Sequence, residues 1–331
     1  MSIFETIGHA LAQGKRGIIA TIVRRVGATP RDAGAKIFIE EGGKLFGTIG
    51  GGCVEAEVWQ EAQTILQSGE ARLFHYAMDG RQVEDEGMIC GGNLDIFMEP
   101  VLERYQELYE AIQTAEKRGQ RALVVTRFDG QLYTKTLITA SGEIVGDKLD
   151  PATIAELTGK LNDKKPSLLK ELIIEPVVPL SVVYIYGAGH ISQSISKIAK
   201  MIGFRVTVID DRGDFSNRER FPEADEIVVD DFEFVSQHIP RDSETYAVIV
   251  TRGHKHDAIV LEEVLKVPHR YIGMIGSKRK IHIIYEAMKT KGVNEGLLAQ
   301  VHSPIGIDIN AETPEEIALS IVSELVKVRG N

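Results

Sequence analysis

The stretch Ser181-Val182-Val183-Tyr184-Ile185-Tyr186-Gly187-Ala188-Gly189-His190-Ile191-Ser192 decides the fold of the C-terminal half. Its first six residues, β-branched or aromatic after Ser181, predict a buried strand. Two glycines follow, and Ile191–Ile202 then has the apolar spacing of a helix. A strand that turns through glycines into a helix opens a nucleotide-binding parallel sheet. The first glycine permits the tight turn. The second lets a phosphate approach the helix N-terminus, where backbone N–H groups favour an anion. Ser192 stands where a third glycine is expected, so the fingerprint is incomplete. Asp210 lies 23 positions beyond Gly187, at the end of the next predicted strand, where an acidic side chain can bind a ribose diol. Arg212, close after it, would favour a phosphorylated ribose or simply face solvent.

Downstream, strands are expected at Arg205–Ile209, Glu226–Val229, Ala247–Thr251 and Tyr271–Ile275, separated by helical segments that include Asp257–Val267. Such alternation gives a parallel sheet through right-handed crossovers. Thr313-Pro314-Glu315-Glu316 predicts the start of the last helix, with Thr313 and Glu316 as a capping box. Ligands of open parallel sheets lie beyond the carboxyl ends of the strands. The loops Thr251–Asp257 and Gly276–Arg279 should therefore bring His254, His256, Asp257, Ser277 and Lys278 towards Gly187, Gly189 and His190. Two histidines and a carboxylate could hold a metal. Their spacing in a loop favours hydrogen bonding, with Asp257 as a helix cap.

The first half alternates less regularly. Helices are expected at Phe4–Gln13, Val54–Leu66 and Val101–Lys117. Strands are expected at Gly17–Val23, Lys36–Glu40, Arg72–Ala77, Asp95–Met98 and Leu123–Phe128. The prediction is an α/β chain in which an N-terminal α+β domain (1–150) is followed by a linker (151–180) and a C-terminal Rossmann-like parallel-sheet domain (181–331). The linker assignment rests on Pro151, Pro166, Pro176 and Pro179 and on the polar residues 162–165, with a short helix expected inside it at Ala152–Leu161. Gly47-Thr48-Ile49-Gly50-Gly51-Gly52-Cys53 is a second glycine-rich turn. Gly50, Gly51 and Gly52 at a helix start would form an anion nest, and the helix dipole there would lower the pKa of Cys53. Cys90-Gly91-Gly92 repeats the pairing of cysteine with glycine. Gly27-Ala28-Thr29-Pro30-Arg31 is a rigid turn that would present Arg31 to an anion. Each cysteine could equally be a small buried hydrophobe.

Bulk composition narrows the classes. The chain has 331 residues, 43% hydrophobic and 26% charged, as in an ordinary globular protein of two domains. A net charge of −10 argues against nucleic-acid binding, which needs clustered Lys and Arg. Two cysteines suit a reducing compartment. No signal peptide and no apolar run of roughly 20 residues is evident, so a cytoplasmic protein without a membrane span is expected.

Taken in order, Gly27–Arg31, Gly34-Ala35, Gly47–Cys53 with Glu55, Cys90-Gly91-Gly92, Gly187–His190, Asp210-Asp211-Arg212, Thr251–Asp257, Gly273–Lys278, Ser303–Gly306 and Thr313–Ala318 resemble the XdhC/CoxI family over nearly the whole chain. These are accessory factors of xanthine dehydrogenase and related molybdenum hydroxylases. The resemblance implies a non-catalytic chaperone that binds molybdenum cofactor (molybdopterin), supports its sulfuration by a cysteine desulfurase, and inserts it into the apo-enzyme. It implies a homodimer, and it makes Cys53 and Cys90 candidate molybdenum contacts. The rival reading is an NAD(P)-dependent oxidoreductase. Gly187, Gly189 and Asp210 would serve it equally, with His190 or His256 as the proton-transfer group.

Overall fold

The computed structural model describes residues 2–77, 92–130, 132–239 and 245–330. The chain divides into two compact units, Met1–Pro179 and Leu180–Asn331.

The first unit opens with helix α1 (Ile3–Ala12), started by a capping box between Ser2 and Glu5. Then come β1 (Gly17–Val26), β2 (Lys36–Glu40), β3 (Leu45–Gly47), α2 (Gly52–Ser68), β4 (Arg72–Ala77) and β5 (Asn93–Pro100). These five strands form an antiparallel sheet of order β3-β2-β1-β5-β4. The remaining elements are α3 (Gln106–Arg118), β6 (Ala122–Phe128), β7 (Tyr133–Thr139), β8 (Ile144–Gly146), α4 (Pro151–Thr158), β9 (Ser167–Leu169) and β10 (Leu172–Val177). They build a second antiparallel sheet of order β8-β7-β6-β10-β9.

Strand alternation sorts the side chains of this unit. Ile18, Ala20 and Ile22 of β1 pack with Val58, Ala62 and Ile65 of α2. Each Val or Ile so buried contributes about 1.5–3 kcal/mol. Ile19 and Val23 face the other way, into a core shared by both sheets with α1 and α3; it includes Phe38, Phe97, Leu108, Ile112, Val124, Leu137 and Ile173. The stretch 151–180, expected to be a linker, carries α4, β9 and β10, and β10 lies beside β6 inside the second sheet. Its prolines sit where they cost little: Pro151 is in the first turn of α4, and Pro176 is near the end of β10.

The second unit contains β11 (Val182–Tyr186), α5 (His190–Met201), β12 (Arg205–Asp210), β13 (Glu226–Val229), β14 (Thr245–Ile249), α6 (Gly253–Val264), β15 (Tyr271–Met274), α7 (Lys278–Thr290), α8 (Glu295–Leu298), β16 (Val301–His302) and α9 (Pro314–Gly330). The six strands are parallel in the order β13-β12-β11-β14-β15-β16. This is the dinucleotide-binding order, and it reverses between β11 and β14. The Rossmann-like sheet and the antiparallel first unit thus match the predicted fold class. Val183 and Ile185 face α5 and α9, while Tyr184 and Tyr186 face α6 and α7. Thr313 and Glu316 cap the start of α9 reciprocally, as expected.

Gly187 and Gly189 carry different constraints. Gly187 has φ +103°, and a Cβ there would stand 2.6 Å from the Val250 carbonyl oxygen. Gly189 has φ −78° and open space around its Cβ direction. Gly187→Ala should therefore cost at least about 2 kcal/mol, from strain and backbone overlap. Gly189→Ala, at a helix N-cap, should cost about 1 kcal/mol or less. Urea denaturation of the two variants checks the contrast; equal losses would contradict it.

Candidate functional site

At the point where the strand order reverses, the glycine turn after β11 meets the loop after β14. Asp210 ends β12 and is 1% exposed. Its Oδ2 accepts from the Ala188 N–H (2.7 Å) and from Arg212 Nη2 (3.1 Å). Its Oδ1 accepts from Arg212 N (3.0 Å) and Nε (2.9 Å). Burial acts to raise the Asp210 pKa, but these donors outweigh it and hold the carboxyl below the usual aspartate range. The carboxylate expected to meet a ribose diol is instead engaged by the chain: it fastens the glycine turn to the end of the neighbouring strand. Arg212 also lies 3.8 Å above the Phe215 ring, and Arg252 pairs with Asp211 through two contacts of 2.9 and 2.7 Å.

Asp257 is fully buried in α6, where its Oδ1 accepts from Thr251 N (3.2 Å) and Thr251 Oγ1 (2.5 Å). Its other oxygen is paired with Lys280, which also donates to the Ile275 carbonyl (3.3 Å). Asp257 thus ties the loops after β14 and β15 together instead of capping its own helix. Ser277 is the N-cap of α7, and Lys278, the first residue of that helix, is exposed. His190 and His254 are exposed at the starts of their helices. His256 packs its ring on Phe232 at 5.4 Å. Among the described residues, no group of three or more His, Cys, Asp or Glu side chains could hold a metal ion.

The glycine-rich turn of the first unit also contains an internal anion. Glu55, in the first turn of α2, turns back on the loop. Its Oε1 accepts from Ile49 N (3.0 Å), Gly51 N (3.0 Å) and Thr48 Oγ1 (2.6 Å). Burial works against its charge, yet these bonds lower its pKa. Where an external anion was expected, the Ile49 and Gly51 N–H groups hold the Glu55 carboxylate. Gly50, Gly51 and Gly52 all have positive φ, and Cys53 follows, half-buried, in the first turn of α2. Cys90, the second candidate metal contact, lies outside the described residues.

A group of charges that pattern reading missed lies in the shared core of the same unit. Lys36 (β2), Glu99 (β5), Lys135 (β7) and Glu175 (β10) all occupy the strand faces turned towards that core. Lys135 Nζ is 2.5 Å from Glu99 Oε1, and Lys36 is paired with Glu175. Glu99, Lys135 and Glu175 are each less than a tenth exposed. Burial raises the Glu99 pKa; for Glu175 the nearby Lys36 and Lys135 outweigh burial and lower it. Lys36, Lys135 and Glu175 line a cavity of about 480 Å³, together with Arg31, Gly34, Ala35 and Gly47 from the quoted sequence motifs. The available signal was a lone charge at an inward position of an alternating apolar segment, as in Tyr133–Thr139.

The model described as the XdhC Rossmann domain matches residues 183–325, and that of the XdhC and CoxI family matches residues 10–77. The chain is 27% identical to a probable xanthine dehydrogenase subunit of Bacillus subtilis (strain 168), over 99% of this chain and 98% of that one. It is 24% identical to the molybdenum cofactor insertion chaperone PaoD of Escherichia coli (strain K12), over 97% of this chain and 86% of that one. It is also 24% identical to YqeB of the same organism over its whole length, where it spans 47% of the relative. A solved structure of a protein from Bacillus halodurans, described as a xanthine dehydrogenase, superimposes with a TM-score of 0.82. That pair is 25% identical, and the match covers 99% of this chain and 96% of the other.

Asp210→Asn tests the structural role of this carboxylate. The variant should be less stable by roughly 1–3 kcal/mol at neutral pH, the usual worth of hydrogen bonds to a charged group. Because folding lowers the Asp210 pKa, its contribution is present above the unfolded value, about 3.9, and is lost as pH falls through the folded value. The gap between wild type and variant should therefore narrow as pH falls below about 4. Denaturant titrations at neutral and acidic pH check this; unchanged stability at neutral pH would return Asp210 to a purely ligand-binding role.

Proposed function

Because the chain belongs to the XdhC and CoxI family, we propose that it is an accessory protein for a molybdenum hydroxylase such as xanthine dehydrogenase. In this reading it binds molybdenum cofactor in the cytoplasm, supports its sulfuration by a cysteine desulfurase, and inserts it into the apo-enzyme. The observation that carries the reading is the near end-to-end similarity to a relative named for molybdenum cofactor insertion. The family resemblance also motivates a homodimer, which light scattering tests against the monomer mass of 36.5 kDa.

A carrier must hold its cargo and then release it, so moderate contacts from several groups suit it better than a closed covalent site. The cargo brings a phosphate, a pterin ring and a thiophilic metal. Cys53 is the candidate soft ligand in the described part of the chain. It lies two residues after Gly51, whose Cβ direction is open, so a bulky group can approach there. Arg31, beside Gly50, supplies positive charge nearby. No bond-making step is assigned to the chain itself. The rival reading, an NAD(P)-dependent oxidoreductase, loses support from Asp210, whose oxygens are already engaged by Ala188 and Arg212.

Chains purified from cells making molybdenum cofactor should contain molybdenum and yield a fluorescent pterin after oxidation. They should also activate apo-hydroxylase on mixing. Cys53→Ser should lower the molybdenum bound per chain while shifting Tm by no more than about 2 °C. A structural cysteine predicts the opposite pattern, lower Tm with normal transfer, because Ser buries a hydroxyl in an apolar site. Full transfer by Cys53→Ser/Cys90→Ser would remove thiol chemistry from the process. Absence of both pterin and activation would overturn the accessory reading.

A further inference from the structure

The cavity in the first unit is explained neither by the glycine loop nor by Cys53. Buried ion pairs add little stability, and replacing them with apolar side chains is often neutral or stabilising. Two such pairs, drawn from four strands and facing one core, therefore call for a reason beyond stability. Their chemistry indicates one. A lysine ammonium paired through one hydrogen keeps two more to donate, and a carboxylate paired through one oxygen keeps the other to accept. Lys36 and Glu175 thus offer donor and acceptor side by side on the cavity wall. Phe4, Ile19 and Val124 supply apolar wall. Arg31 and Lys164 also line the cavity and are exposed. Lys135 and Lys36 are neutralised by Glu99 and Glu175, so the exposed Arg31 and Lys164, set against Glu116, carry the excess positive charge of the lining, which favours an anionic guest. The volume of about 480 Å³ falls in the range of small-molecule sites.

We propose that this cavity is the seat of a phosphorylated pterin, which places the heterocyclic end of the cargo in the first unit; the proposal rests on the accessory reading above. A pterin carries a ring carbonyl beside a ring N–H and an amino group along one edge. Glu175 accepts from the N–H and amino groups, and Lys36 donates to the carbonyl. The ring faces meet the apolar wall. Arg31 and Lys164 meet the phosphate, where charge-assisted hydrogen bonds are strongest.

The test uses the full chain and two stable fluorescent probes, 6-hydroxymethylpterin and its monophosphate, with binding read from fluorescence quenching. Wild type should bind the monophosphate more tightly than the unphosphorylated pterin. Lys36→Met/Glu175→Met replaces the pair with apolar side chains of similar length, so the fold should be kept. It should weaken both probes at least about tenfold. Arg31→Ser/Lys164→Ser changes only exposed residues; it should abolish the preference for the monophosphate and leave the unphosphorylated pterin unaffected. Circular dichroism confirms folding of each variant, and the surface variant keeps the test decisive if the buried one unfolds. Unchanged affinities in both variants overturn the cavity as the site. The pterin released on oxidation of purified chains separates the two levels: equal pterin in wild type and folded variants rejects the cavity and leaves the accessory reading standing. No pterin in wild type, with no probe bound, rejects both.

Discussion

A carboxylate withdrawn from water must be met by donors inside the fold, and this chain repeatedly organises its backbone around that requirement. Asp210 gathers the glycine turn and the end of β12. Asp257 with Lys280 joins two loops at the same sheet edge. Glu55 gathers the loop before α2. Glu99 and Glu175 draw lysines in from other strands. The electrostatics are local, and the effect is architectural. Removing one partner of such a pair leaves the other uncompensated, so these contacts fix which loop lies against which strand.

The same requirement changes how glycine-rich turns should be read. Exposed backbone N–H groups at a helix start attract anions, and the natural inference from sequence is an external phosphate. Here the first anion to arrive is a side chain of the protein itself. A phosphate approaching the loop at Gly47–Gly51 would meet Glu55 already bonded to Ile49 and Gly51, and the two negative charges would compete. The second unit repeats this at Ala188, where Asp210 holds the N–H. The dinucleotide strand order is therefore a scaffold statement, and the ligand has to be argued from the groups that remain open.

Legibility in the sequence follows the same division. The parallel sheet was readable because its strands are apolar runs and its turn carries Gly187 and Gly189; α9 announced itself through Thr313 and Glu316. Lys36–Glu40 and Arg72–Ala77 were readable from composition and alternation. In contrast, β7 and β10 escaped because Lys135 and Glu175 sit at inward positions and look like surface residues, while Pro176 looks like a break. Only the partner strand, far off in sequence, makes a buried lysine or glutamate tolerable. Lys280 escaped for a related reason: its partner Asp257 is 23 residues away, and nothing local marks the pair. The motif residues Arg31, Gly34 and Gly47 were visible, but their convergence on one cavity was not.

Helix α9 has a consequence for the order in which the chain matures on the ribosome. Ala318, Ile321, Val322 and Leu325 complete the apolar layer that α5 begins with Ile195 and Ala199. Arg329 reaches back to the Ile202 carbonyl at 3.1 Å and lies 4.4 Å over the Phe204 ring. One face of the parallel sheet therefore stays only partly covered, by α5, until residues 314–330 have been synthesised. The first unit has its own core and can close earlier, as N-terminal domains generally do during translation. For that interval the nascent protein carries a finished module and an unfinished one, and the partly covered sheet face of the latter is the part of the polypeptide in need of protection.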